Sequence, residues 1–361
     1  MRDDPVDIAI IGGGAAAAAA TLTLAESGYR IAAIAPPSDA TDRPGDSLAA
    51  TGVDLLTDLG LAEVFAAVPH RAANTTVSAW GSSLLVQSHS IAQSGGPGRV
   101  LDRSAFDRML RDAVERTGFA ISATVERAQR SDGGWMLHLT GRGSLGARFA
   151  IDCSGRAAVI ARDAAHRRHA DRMVAAYAFL RQGGGGVTPT PATMVEAVEN
   201  GWWYATLLPD LRLSLAFFSD PDLMPRGITR DVRSWTELIA GAPSIARWIE
   251  SADYAIGEPP RLASAATTWL QPAIGDGWAA AGDAAAAFDP LSSHGMTTAL
   301  WSGRKAALAA LAMLEGDAGP LAQYAQSIDA AIRSVIAARS AIYSQERRFS
   351  GAPFWARREA P

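Results

Sequence analysis

Lysine is nearly missing from this sequence. Of the 33 basic residues only Lys305 is a lysine and the others are arginine, so any chemistry needing a reactive amine has a single candidate. Cysteine is as scarce. Cys153 stands alone, which excludes a disulfide scaffold and a cysteine-rich metal site. No apolar run reaches the roughly 20 residues of a membrane span. The start, Met1-Arg2-Asp3-Asp4, enters a strand pattern without the basic and apolar regions of a secretory leader. A cytoplasmic protein that neither spans nor coats a membrane is expected. Excess positive charge is also absent: the net charge of −4 at pH 7 and pI near 5.9 argue against a nucleic-acid binder. Apolar material, in contrast, is plentiful, at 48% of 361 residues. That is enough for two domains, or for one large α/β domain with a cap.

The chain opens with Val6-Asp7-Ile8-Ala9-Ile10-Ile11, a buried-strand run. Gly12-Gly13-Gly14 follows, and then a helix from Ala15 through Leu24 that Gly28 is expected to cap. A second strand covers Arg30 to Ala35 and stops at Pro36-Pro37. In this context Gly12-x-Gly14-x-x-Ala17 reads as a dinucleotide fingerprint. Gly12 permits the tight turn, Gly14 lets the backbone approach a pyrophosphate, Ala17 allows close packing, and the helix start favours the anion. The acidic residue that normally binds the ribose, about 20 residues on, would fall at Ala35, which has no carboxylate. Asp39 or a backbone group is left to serve.

Further on, Arg99–Leu101 and Phe149–Asp152 read as short strands, Ser104–Glu115 as an amphipathic helix and Thr124–Leu139 as antiparallel strands. The texture changes after residue 170. Stretches at 173–180, 193–199, 202–208 and 211–218, separated by turn residues, predict an antiparallel sheet. The glycine run 183–186 reads as a hairpin loop, and His166 and His169 as a solvated basic turn. Helix is expected around 230–250, strand at Trp278–Ala281, and helices at Gly295–Leu314 and Leu321–Ser344. The expected organisation is α/β. Residues 1–75, 95–165 and 265–310 form a Rossmann-like domain, 76–94 and 166–264 an antiparallel sheet, and 311–361 a helical segment that packs back.

Asp152-Cys153-Ser154-Gly155-Arg156 and Gly282-Asp283 join the fingerprint at separations that resemble the FAD-binding flavoproteins of the para-hydroxybenzoate hydroxylase superfamily. The resemblance implies that Asp283 binds the ribityl and pyrophosphate region of FAD and that Arg103 contacts it. Cys153 then reads as packing rather than a redox thiol. Asp289-Pro290-Leu291-Ser292-Ser293-His294-Gly295, before a helix, resembles the flavin-dependent tryptophan halogenases. Still more closely it resembles the halogenase-like flavoproteins that mature tryptophylquinone cofactors. Gly45-Asp46-Ser47-Leu48, Gly201-Trp202-Trp203-Tyr204, Glu346-Arg347-Arg348 and Phe354-Trp355-Ala356-Arg357-Arg358 extend that resemblance over essentially the whole chain.

The resemblance implies a flavin loop in which Pro290, Gly295 and Met296 bind the cofactor, the loop's N–H groups and helix start facing a reduced isoalloxazine, with Ser293 and Asp46 joining His294 as candidate catalytic residues. His294 would lie at the isoalloxazine edge as an acid or base, or else be an exposed helix-start residue. Asp46 either faces the flavin or is structural. Trp202 and Tyr204 share one face of a strand, where they pack the core or stack a substrate ring.

Halogenases of this fold use a lysine early in the chain and a Trp-x-Trp-x-Ile-Pro segment. Here no lysine precedes Lys305, and Tyr204, Thr206 and Leu207 replace three of the marked positions. Halogenation is therefore not expected. The implied activity is that of an FAD monooxygenase using O2 through a flavin C4a-hydroperoxide to hydroxylate an aromatic ring, a tryptophan indole in a client peptide or protein. NAD(P)H bound transiently, or a separate flavin reductase, would supply electrons, since no second dinucleotide fingerprint occurs. Alternatives are a flavin reductase or dehydrogenase of a small metabolite, and a flavin-stabilised maturation partner.

Overall fold

The computed structural model describes residues 5–37, 42–89, 96–162, 164–184 and 186–359. Asp39, the residue proposed above for the ribose, and Gly185 of the glycine run lie outside them.

A first sheet runs in the order Ile274–Gly275, Trp278–Ala280, Gly143–Asp152, Val6–Ile11, Ile31–Ala35, Ala120–Ser122. The last five of these strands are mutually parallel, as strands buried on both faces and joined by crossover helices must be. An antiparallel ribbon, Val125–Ser131 and Gly134–Leu139, extends it from Gly143–Asp152. The first helix, Ala15–Leu24, is buried along most of its length. Its alanine face accepts the helix Gly295–Leu314 so closely that a Cβ at Gly303 would stand 2.1 Å from the Ala16 carbonyl oxygen. The first helix ends at Leu24, ahead of Gly28, which adopts a left-handed φ of 76° in the following turn.

The second sheet orders Tyr254–Ala255, Val174–Gln182, Leu213–Ser219, Gly201–Leu207, Thr193–Val198, Thr75–Ala79 and Val86–His89, with Arg261–Ser264 also paired to Val174–Gln182. It departs from the expected pattern once: Thr193–Val198 and Thr75–Ala79 run parallel, because 75–79 is not a hairpin partner but comes from far earlier in the chain, following the strand His70–Ala72 of a small sheet with Arg99–Leu101 and Ser47–Leu48. Strand alternation splits its aromatics. Trp203 and Phe217 pack beneath the helices Val232–Ala240 and Pro243–Ser251, against Trp235. Trp202, Tyr204 and Phe218 face the other way. His166–His169 is not a turn but a strand, paired antiparallel with Thr268–Gln271.

After the helix Gly319–Tyr343 the chain folds back. Phe354 and Trp355 are buried at 0% and 1% exposure, and Arg358 reaches Asp220 at 2.7 Å. The aromatic-basic segment is thus core, not a free surface. Among the described residues, no helix is long and apolar enough to cross a membrane.

Candidate active site

Both sheets and both long buried helices border one cavity of about 930 Å³. Its first wall is the turn after Val6–Ile11. Gly12 takes φ 131°, and a Cβ there would meet the Cys153 carbonyl oxygen at 2.1 Å, so only glycine lets the two parallel strands close at this point. Gly14 caps the first helix, and a Cβ on it would meet nothing within 4 Å. That empty space is cavity. The helix start carries no capping side chain and no acidic residue in its first turn, so its N–H groups are available to an anion. Ala17 lines the same cavity with a side chain too small to obstruct it.

A second helix start converges on the cavity. His294 caps Gly295–Leu314 without a side-chain hydrogen bond or an acidic first turn. Pro290, Ser293, Gly295 and Met296 line the cavity. Ser293 holds φ 53°, a left-handed conformation costing about 1–3 kcal/mol in a non-glycine residue and typical of functional loops. His294 itself is exposed and contributes nothing to the wall. The exposed helix-start reading is thus the one that its place in the structure matches.

Arg103 and Asp283 face each other across the middle. The Arg103 guanidinium donates to the Gly45 carbonyl at 2.5 Å and to both oxygens of Asp107 at 3.2 Å, which fixes the loop carrying Asp46. Asp283 is 48% open, but into the cavity, with Arg156 Nε 3.8 Å away. Desolvation there raises its pKa above the ordinary carboxylate value, against the pull of Arg156, Arg103 and Arg167. Asp152 closes the facing turn: its carboxylate accepts from the N–H groups of Ser154 and Ile160 at 3.0 and 2.8 Å. Glu115, at the end of the helix Arg103–Glu115, is a further carboxylate on the cavity wall among the described residues, and it falls outside the fingerprint.

The far wall is the second sheet. Ala175, Ser214, Ala216 and Ala265 leave a shallow apolar face beside Phe218 and Tyr204. Tyr204 Oη donates to Asp46 Oδ1 at 2.7 Å. Asp46 lines the cavity but is only 4% exposed, and its Oδ2 is shielded from solvent. Desolvation raises the Asp46 pKa, partly countered by the Tyr204 and Ser214 hydroxyls and the Arg103 charge. Burial and the adjacent carboxylate push the Tyr204 phenol well up, so it stays a donor. Trp202 does not reach the cavity. It stacks on Phe218 with ring centroids 4.1 Å apart and donates Nε1 to Tyr343 Oη at 2.9 Å. The substrate role considered for it gives way to packing behind the wall.

Cys153 is buried, and desolvation raises its thiol pKa well above the usual value, which suppresses the thiolate. Native protein is therefore expected to leave Cys153 unlabelled by a disulfide reagent at pH 8 and to react once denatured. Rapid native labelling would contradict a packing role.

The comparisons agree with this architecture. A family model described as tryptophan halogenase matches residues 82–360. LodB of Marinomonas mediterranea, named as an FAD-dependent oxidoreductase, is 28% identical over 294 residues, covering 78% of this chain and 77% of LodB. Among solved structures, the peptidyl tryptophan dihydroxylase QhpG, essential for tryptophylquinone cofactor biogenesis, aligns with 99% of this chain and 79% of its own at TM-score 0.81 and 24% identity. The flavin-dependent halogenase CmlS aligns with 99% of this chain and 68% of its own at TM-score 0.84 and 21% identity. The two helix starts, the glycine cradle with open space at Gly14, and the flanking Arg103 and Asp283 suit FAD. The chain therefore belongs to the tryptophan halogenase family and is an FAD-dependent oxidoreductase.

Proposed function

We propose that the protein is a flavin monooxygenase that hydroxylates an aromatic ring, with the indole of a tryptophan in a client peptide or protein as substrate. One observation carries the reading. The cavity that begins at the phosphate-binding turn continues onto the apolar sheet face beside the hydrogen-bonded pair Tyr204 and Asp46. Bound and reduced, FAD supplies the two electrons with which O2 is split between the ring and water, and NAD(P)H or a separate reductase restores them. Gly12 to Ala17 and Arg103 hold the cofactor, and Asp283 meets its ribityl chain. Phe218, Ala175 and Ala216 exclude water from a flat ring. Tyr204 and Asp46, joined by a 2.7 Å hydrogen bond, supply the polar groups of that face and orient the ring.

Lys305 is exposed on the helix Gly295–Leu314 and does not line the cavity, so the amine used in halogenation has no counterpart there. This and the QhpG likeness favour hydroxylation over the halogenation performed by other relatives. The test is single turnover of reduced protein with a tryptophan-containing peptide under 18O2, with chloride and bromide present. Incorporation of labelled oxygen into the peptide supports the reading. Halogenated product, or reduction of a small substrate without oxygen uptake, overturns it.

A further inference from the structure

The flavin loop is held from outside the cavity. Asp289, 1% exposed, uses Oδ1 to cap its own turn at Leu291 N, 3.0 Å away. Its Oδ2 accepts from Arg339 Nε and Tyr343 Oη, both at 2.9 Å. Both donors sit on the helix Gly319–Tyr343. Arg339 also places Nη2 2.9 Å from Asp171 Oδ2. The other Asp171 oxygen accepts from the N–H groups of Met173 and Thr267, where the chain passes between the two sheets. Tyr343 Oη in turn accepts from Trp202. One largely buried cation and one buried phenol thus connect the flavin loop, the chain at Asp171, Met173 and Thr267, and the back of the substrate wall.

We propose that Arg339 and Tyr343 are positioning residues for the flavin: through Asp289 they fix the loop 290–295, and with it the N–H groups and helix start presented to the isoalloxazine. The proposal rests on the assignment of this cavity to FAD. Its physical basis is that a carboxylate with two donors holds one geometry, whereas losing a charge-assisted hydrogen bond leaves the buried oxygen to find another.

Tyr343→Phe removes one hydroxyl and no packing volume. The variant is expected to fold, to bind FAD about tenfold more weakly, and to show a shifted flavin absorption band and midpoint potential, with kcat lowered more than KM is raised. Tyr254→Phe is the control, since Tyr254 Oη donates to the Leu211 carbonyl at 2.9 Å, away from the flavin loop. It should leave the flavin spectrum and potential unchanged. Arg339→Lys, which retains the charge but not the fork, should shift the same flavin properties and serves if Tyr343→Phe does not fold. Unaltered flavin affinity, spectrum and potential in a folded Tyr343→Phe or Arg339→Lys protein would overturn the proposal, as would equal shifts in Tyr254→Phe. Wild-type protein that binds no FAD would instead overturn the assignment of the cavity, so the two failures are distinguishable.

Discussion

Gly14→Glu is expected to give a folded, colourless protein. Gly14 has φ −94° and ψ −172°, a backbone conformation open to any residue, and its absent Cβ would meet no atom within 4 Å. The substitution therefore costs the fold little. The new carboxylate, however, enters the cavity at an uncapped helix start, where it satisfies the N–H groups meant for a pyrophosphate and repels that anion. Purified variant should lack flavin absorbance and take up none on titration, while its circular dichroism and Tm match wild type without added FAD. A yellow variant would refute the pyrophosphate assignment. Gly12→Ala should behave oppositely. At φ 131°, with the Cys153 carbonyl 2.1 Å from the new methyl, it meets backbone strain of about 1–3 kcal/mol plus a clash between two central strands. Loss of FAD there would follow from loss of stability, and Tm separates the two cases.

Asp46→Asn should lower kcat about 100-fold, the scale of losing one acid–base or orienting group, with FAD still bound. The Asn keeps an acceptor at one position only and presents an amide N–H at the other. The pH dependence supplies a second readout. Desolvation raises the Asp46 pKa in the folded protein, so on acidification the active carboxylate is lost at a higher pH than for an ordinary aspartate. Wild-type kcat should fall through that range, and the variant should lack the limb. The stability effect has the opposite sign. A buried, charged Asp46 works against folding at neutral pH, and that penalty is relieved as pH falls through the raised pKa. Stability that tracks activity downward over the same range would mean that the limb reports unfolding rather than Asp46.

The first half of the site was legible because its chemistry is local. Gly12, Gly14 and Ala17 act through backbone geometry that a strand, a turn and a helix impose on consecutive residues. The loop from Asp289 to Met296 was picked out by its resemblance to a family motif. The second half depends on pairing between distant strands. Trp202 and Tyr204 share a face, as alternation requires, but Trp202 lies opposite Phe218 and Tyr204 opposite Ala216. The large neighbour covers one ring and the small neighbour leaves the other on the wall, and no reading of the strand alone distinguishes them. Asp46 was singled out as flavin-facing or structural, but its partner Tyr204, 158 positions away, came only with the fold. Arg339 and Tyr343 sit in a long helix whose sequence gives no hint that it holds a loop 50 residues upstream. His294, after the left-handed turn of Ser293, is exposed, and a reading of residue types left that open.

The hold of Tyr343 on Asp289 also bears on how the protein is made. A ribosome that has released the Rossmann-like strands, the second sheet and even the flavin loop has still not released the helix that fastens that loop. Gly12 lines the cavity from one end of the chain and Tyr343 steadies its wall through Asp289 from the other, so a chain interrupted before the helix Gly319–Tyr343 would contain the fingerprint without the fastening of its flavin loop.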